Sequence, residues 1–104
     1  MIVSLSVVPV GAGVELKEQV SEVLKVIDES GLPYRLTAMA TEIEGTWDEV
    51  MPVVAAAHAM GKQFTGRVVT HIAIDDREGA LGRLEGKVRD VEETVGKPMR
   101  RDRP

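Results

Sequence analysis

The chain has 104 residues and is 43% apolar and 29% charged, a balance that suits a folded globular domain better than a disordered segment. Its formal net charge of -4 and its single Trp, Tyr and Phe argue against a general nucleic-acid binder, which needs cations for phosphates and rings for stacking. Cysteine is absent, so disulfides, iron–sulfur clusters and thiol catalysis are excluded.

Residues 1–9 read as a strand. Val3, Leu5 and Val7 fall on one face, and Ile2, Ser4, Ser6 and Val8 on the other. One face is apolar and the other mixed, as in a sheet covered on one side. The strand is expected to end at Pro9, and Gly11-Ala12-Gly13 to turn the chain. The period then changes. Leu16, Val20, Val23, Leu24 and Ile27 recur at three and four with charged residues between them, which predicts an amphipathic helix stopped by Gly31 and Pro33.

Tyr34, Leu36 and Ala38 alternate with Arg35, Thr37 and Met39, predicting a second strand. A tight turn is expected at Ala40 and Thr41, and a return strand over residues 42–45. Trp47, Val50, Met51, Val54 and Ala57 mark a second helix ending near Gly61. Thr46 is its expected N-cap, with Glu49 completing a capping box; Pro52 inside it predicts a kink or a later start. Residues 68–75 alternate again, Val68, Thr70, Ile72 and Ile74 against Val69, His71, Ala73 and Asp75. A third helix carries the stripe Leu84, Val88, Val91 and Val95, and Gly96 and Pro98 stop it.

Strand, helix, strand, strand, helix, strand is the split βαβ order of the ferredoxin-like fold. The expected architecture is one α+β domain spanning residues 1–104, with sheet order 4-1-3-2, two helices on one face and an additional C-terminal helix. The stripe on that extra helix predicts self-association, because each buried side chain is worth about 1.5–3 kcal/mol. No apolar run reaches the length of about 20 residues that a membrane-spanning helix needs. With no basic leader before the first strand, the expected location is cytoplasmic.

No standard catalytic motif is present. Gly11-Ala12-Gly13 follows a strand, but Leu16 stands where a dinucleotide-binding loop would have its third glycine. His58 and His71 have no zinc spacing. Glu42 and Glu44 share a strand face and could form an acid/base pair, or could simply be solvated charges on an edge. Asp75 and Asp76 read as loop capping or as a substrate contact. Ser4 and Ser6, with Thr37 and Met39 on a neighbouring ladder, could line a neutral pocket or an interface. The tail Arg100-Arg101-Asp102-Arg103 is basic but short.

The opening Met1-Ile2-Val3-Ser4-Leu5-Ser6-Val7-Val8-Pro9-Val10-Gly11 resembles the MTH1187/YkoF-like family of thiamine-binding proteins, also called UPF0045 or DUF77. Ser30-Gly31-Leu32-Pro33-Tyr34 continues the likeness, and Met39-Ala40-Thr41-Glu42-Ile43-Glu44-Gly45 carries it most strongly. Glu49-Val50-Met51, Arg67-Val68, Ile74-Asp75-Asp76-Arg77, Lys87-Val88 and Val91-Glu92 also fit. The resemblance implies a ferredoxin-like fold and a homotetramer built as a dimer of dimers. It also implies non-catalytic binding of thiamine or its hydroxymethylpyrimidine moiety, with no catalytic residue, metal or cofactor. An aminopyrimidine needs acceptors and donors. Glu44 and Thr41 are the first expected contacts, Ser6 and Thr37 the second, and Met39 an apolar wall. Two other functions compete: a protein-interaction module, and an enzyme on a small nitrogenous substrate using Glu42, Glu44, Asp75 or His71.

Overall fold

The computed structural model describes residues 1–11 and 17–100. Expectations for Ala12, Gly13 and Leu16, and for the tail beyond Arg100, lie outside the described residues. The chain runs β1 (Ile2–Pro9), α1 (Lys17–Glu29), β2 (Tyr34–Leu36), β3 (Thr41–Glu44), α2 (Trp47–Thr65), β4 (Val68–Asp75) and α3 (Arg83–Val95). The four strands form one antiparallel sheet in the order β2-β3-β1-β4. This is the ferredoxin-like α+β arrangement with an additional C-terminal helix, as the alternation of periods predicts.

Alternation along β1 sets the two faces of the sheet. Val3 and Leu5 point to the same side as Ile43 of β3, and there they meet Val23 and Ile27 of α1 and Val50, Val54 and Ala57 of α2 in one buried cluster. Burying a side chain of this kind is worth about 1.5–3 kcal/mol. Both helices therefore cover this face. Helix α2 begins where the sequence indicates. The Thr46 side chain accepts from the Glu49 N–H while Glu49 Oε1 accepts from the Thr46 N–H at 2.9 Å. With this capping box in place, Pro52 is carried inside the helix rather than setting its start.

Three expected boundaries move. Strand β2 stops at Leu36 rather than continuing through Met39. The cause is Thr37: its N–H donates to the Ala40 carbonyl at 2.9 Å and its hydroxyl to the same oxygen at 2.8 Å. The turn is thus residues 37–40, and Thr41 opens β3 instead of forming the turn. Thr37 and Met39 consequently stand in the turn, not on a ladder beside Ser6. Helix α2 continues past Gly61 to Thr65 and ends on Gly66 at φ 76°. Gly61 serves packing instead: a Cβ there would lie 2.5 Å from Val7 Cγ1 and 3.2 Å from Val68 Cγ2.

The third helix lies across the opposite face and has no buried residue. Polar contacts hold it. Gly82 at its N-cap has no side chain to offer, and Glu44 of β3 substitutes, accepting from the Arg83 N–H at 2.7 Å and the Leu84 N–H at 3.4 Å. Glu85 pairs with Arg35 of β2 at 2.8 Å, and Lys87 pairs with Asp75 of β4. Of the expected stripe, Leu84 and Val88 are half-buried, while Val91 and Val95 remain 54% and 52% exposed.

Two glycines in helices make opposite predictions. Alanine adds about 1 kcal/mol of helix preference over glycine, but overpacking a core contact costs about 1–3 kcal/mol. At Gly61 the close neighbours are the branched, half-buried side chains of Val7 and Val68, so Gly61→Ala is expected to lower stability. At Gly86 the close atom is the far end of the Arg83 side chain, which can swing aside, so Gly86→Ala is expected to raise it. Urea denaturation of the two variants checks both signs.

Helix α3 should also respond to acid. The hydrogen bond from Lys87, reinforced by its charge, holds the Asp75 carboxyl below its usual range. A carboxylate with a depressed folded pKa stabilises the attachment fully above its ordinary pKa of about 3.9, and that contribution is lost as pH falls through the depressed value. NMR titration of Lys87→Ala is expected to return Asp75 to the ordinary range. In the parent chain, the Asp75 titration is expected to be accompanied by shifts in the α3 amides.

Candidate functional site

The site begins with a mismatch in strand length. Pairing between β1 and β3 ends at Leu5 opposite Thr41, whereas pairing between β1 and β4 continues to Pro9 opposite Val68. Residues 6–9 of β1 therefore keep one main-chain edge without a strand beside it. The Gly45 N–H donates to the Met1 carbonyl, so the odd-numbered residues of β1 turn their amides toward β3. At Val7 those groups meet no strand.

Beside this edge lies a cavity of about 210 Å³ between α1, β1 and the β2–β3 turn. Its walls are mainly apolar, from Leu5, Val7, Val20, Val23, Leu24 and Ile27, and the turn residues 37–40 close one side. Thr41 stands on the wall and is 4% exposed. The arrangement is an apolar slot with a small set of polar groups at one side, the usual make-up of a small-molecule pocket. Its volume is below the range of about 300–1,000 Å³ typical of drug-sized ligands, and suits a single ring.

Four of the five expected contact residues line this slot: Ser6, Thr37, Met39 and Thr41. They contribute differently from what alternation alone suggests. Ser6 lies opposite His71 on the ladder, with its side chain on the face away from Val7, so it reaches the slot through its main chain. The Thr37 hydroxyl is spent within the turn, on the Ala40 carbonyl and N–H. Met39 is 87% exposed and stands at the mouth. Glu44 is outside this slot. Its carboxylate is on the opposite sheet face, occupied by the α3 amides.

The remaining chemical candidates do not converge. Glu42 shares a face with Glu44 but lines a second, wider cavity of about 650 Å³ with Arg35, Leu84, Val88 and Arg100. His58 Nδ1 lies 2.7 Å from the Thr70 hydroxyl. Among the described residues no group of three or more acidic or histidine side chains is placed to hold a metal, and no helix is long and apolar enough to cross a membrane. The useful group missed in sequence is the main chain of Val7. Its signal was the pairing of an eight-residue strand with a return strand of only four.

Comparison with known proteins supports the fold and shows the family. The model of the family described as thiamine-binding protein matches residues 3–92. A UPF0045 protein of Mycobacterium bovis is 39% identical over 99 residues, covering 94% of this chain and 97% of its own. The UPF0045 protein YqgV of Bacillus subtilis is 32% identical, covering 86% and 92%. Among solved structures, a hypothetical protein of Methanocaldococcus jannaschii superposes with a TM-score of 0.81 at 27% identity, over 88% of this chain and 95% of that one. A Thermotoga maritima protein with a proposed part in thiamine biosynthesis or salvage gives a TM-score of 0.76 at 29% identity, over 86% and 96%. With a family match across nearly its whole length and close relatives in bacteria and archaea, the chain belongs to the thiamine-binding protein family, UPF0045.

Proposed function

We propose that this chain binds thiamine or its hydroxymethylpyrimidine moiety without turning it over, as a carrier, sensor or buffer. The observation that carries the reading is the bare edge of β1 beside the slot. An aminopyrimidine presents a ring nitrogen that accepts and, next to it, an amino group that donates. Val7 offers the complement, an N–H and a C=O on the same edge of an extended strand. The Thr41 hydroxyl would supply a further contact, and the apolar walls take the faces of the ring. The thiazolium of thiamine would extend toward Met39, and the net charge of -4 does not oppose a cation. Relatives support the reading by family description, and the Thermotoga maritima protein by its connection with thiamine.

This assigns the anchoring role to Thr41 and the β1 main chain, and leaves Glu44 to hold α3. Calorimetry with thiamine and with hydroxymethylpyrimidine separates the two assignments. Thr41→Val keeps the shape and removes one neutral hydrogen bond, worth about 0.5–1.5 kcal/mol, so affinity is expected to fall about three- to tenfold. Glu44→Gln is expected to bind as the parent does. Loss of binding in Glu44→Gln with none in Thr41→Val would move the anchor to the α3 end. If neither compound binds the parent chain at millimolar concentration, the reading fails.

The same proposal includes a cytoplasmic homotetramer arranged as a dimer of dimers, supported by the exposed Val91 and Val95 on α3. Neither side chain is needed inside the monomer. Val91→Asp with Val95→Asp is therefore expected to leave the fold intact by circular dichroism and to reduce the sedimenting mass by half. An unchanged mass would remove α3 from the interface.

A further inference from the structure

The slot runs from a buried floor to an open mouth. Leu5, Val23, Ile27 and Thr41 are buried at its floor, whereas Val20, Leu36 and Met39 are exposed at its mouth. Of these three, Met39 stands furthest into solvent. The fold does not depend on its side chain. The turn that carries it is closed by Thr37 and Ala40: the Thr37 N–H and hydroxyl donate to the Ala40 carbonyl, and the Ala40 N–H donates to the Thr37 hydroxyl. Met39 takes no part in those bonds, and none in the buried cluster.

A thioether brings two properties to this position. It is polarizable and packs well against a ring, and it is oxidised reversibly to the sulfoxide. In a chain without cysteine, two-electron oxidation of sulfur by a peroxide falls to methionine. The five methionines are not equally open to it. Met1, Met51 and Met60 pack against the core, and Met99 is half-buried. Met39 is the one that solvent reaches freely.

We infer that Met39 is a site of reversible oxidation by hydrogen peroxide, and that its sulfoxide weakens the hold of the slot on thiamine. The sulfur gives an electron pair to one peroxide oxygen, the O–O bond breaks and an S–O bond forms. The displaced hydroxide takes up the proton left on the transferred oxygen and departs as water. Sulfur is oxidised by two electrons and the peroxide is reduced by two. Two thiols reverse the step, giving back the thioether with a disulfide and water. At the mouth, the change replaces an apolar wall with a polar, hydrated group that a ring must desolvate in order to touch. The effect on affinity rests on the ligand reading above, in which the thiazolium extends toward Met39. The pyrimidine sits deeper, at Thr41 and the β1 main chain, and does not reach the sulfur. Oxidation therefore separates the two ligands: thiamine is weakened and hydroxymethylpyrimidine is not.

Peroxide treatment followed by peptide mass mapping is expected to add one oxygen to Met39 about tenfold faster than to Met51 or Met60. Saturating thiamine is expected to slow that addition. Calorimetry of the singly oxidised chain is expected to show thiamine bound about two- to tenfold more weakly, the worth of a sulfur–ring contact, and hydroxymethylpyrimidine bound as before. Treatment with the two methionine sulfoxide reductases, one for each epimer, is expected to restore the parent affinity. Met39→Leu keeps an apolar wall without the sulfur, and its affinity for thiamine is expected to be the same before and after peroxide. Oxidation of Met39 no faster than that of Met51 and Met60 would overturn the site. Unchanged thiamine affinity in the oxidised chain, equal loss for both compounds, or the same loss in peroxide-treated Met39→Leu would overturn its effect on the slot. Binding of neither compound before any peroxide is added is a different result: it overturns the ligand reading, and the effect on affinity with it, while the contrast in oxidation rates still decides the site.

Discussion

Most of what distinguishes this molecule depends on β1 being longer than its neighbour β3. Main-chain groups buried away from water must be paired, and an eight-residue central strand can be paired along its full length only by two strands of similar reach. Strand β4 meets this requirement and β3 does not. The shortfall places the Thr37–Ala40 turn beside β1 where sheet would otherwise continue. It also leaves space between that turn and α1. The cavity, its bare edge and the exposed Met39 are three consequences of one difference in length.

The two faces of the sheet are stabilised by different forces. On one, α1 and α2 exclude water from Val3, Leu5 and Ile43, and the driving force is the non-directional transfer of apolar surface. On the other, α3 is held by directed contacts from Glu44, Arg35 and Asp75. Exposed ion pairs contribute little individually, whereas the carboxylate on two helix amides also satisfies groups that the helix cannot pair for itself. Glu44 therefore does in three dimensions what a side chain at Gly82 would ordinarily do in sequence.

The fold was largely legible from period and turn chemistry. The change from alternation in β1 to a three-and-four spacing in α1, the Thr46–Glu49 pair and the cluster of Val, Ile and Thr in β4 are local signals, and local structure followed them. The misplaced boundaries have physical causes beyond local spacing. Thr37 bends the chain by side-chain hydrogen bonding, which period counting ignores. Gly61 looks like a helix stop until Val7 and Val68 are seen against it. The site was legible as a segment, since residues 37–41 do line the cavity. It was less legible as chemistry, because strand direction and not residue type turns the Ser6 hydroxyl away from the slot and the Val7 main chain toward it, and because Glu44 meets its partners some forty residues away in the chain.

The manner in which α3 is attached has a consequence for motion. Native proteins open in cooperative units whose free energies range from near zero to that of global unfolding, and units with few buried apolar contacts open first. Helix α3 buries no residue fully, yet its own amides are hydrogen-bonded to one another and to Glu44. Its amides should therefore exchange with solvent deuterium as one group, well before those of β1 and with little dependence on denaturant, since its release exposes little new surface. The core beneath would remain closed throughout, making the C-terminal helix a separate unit of local unfolding on an otherwise intact sheet.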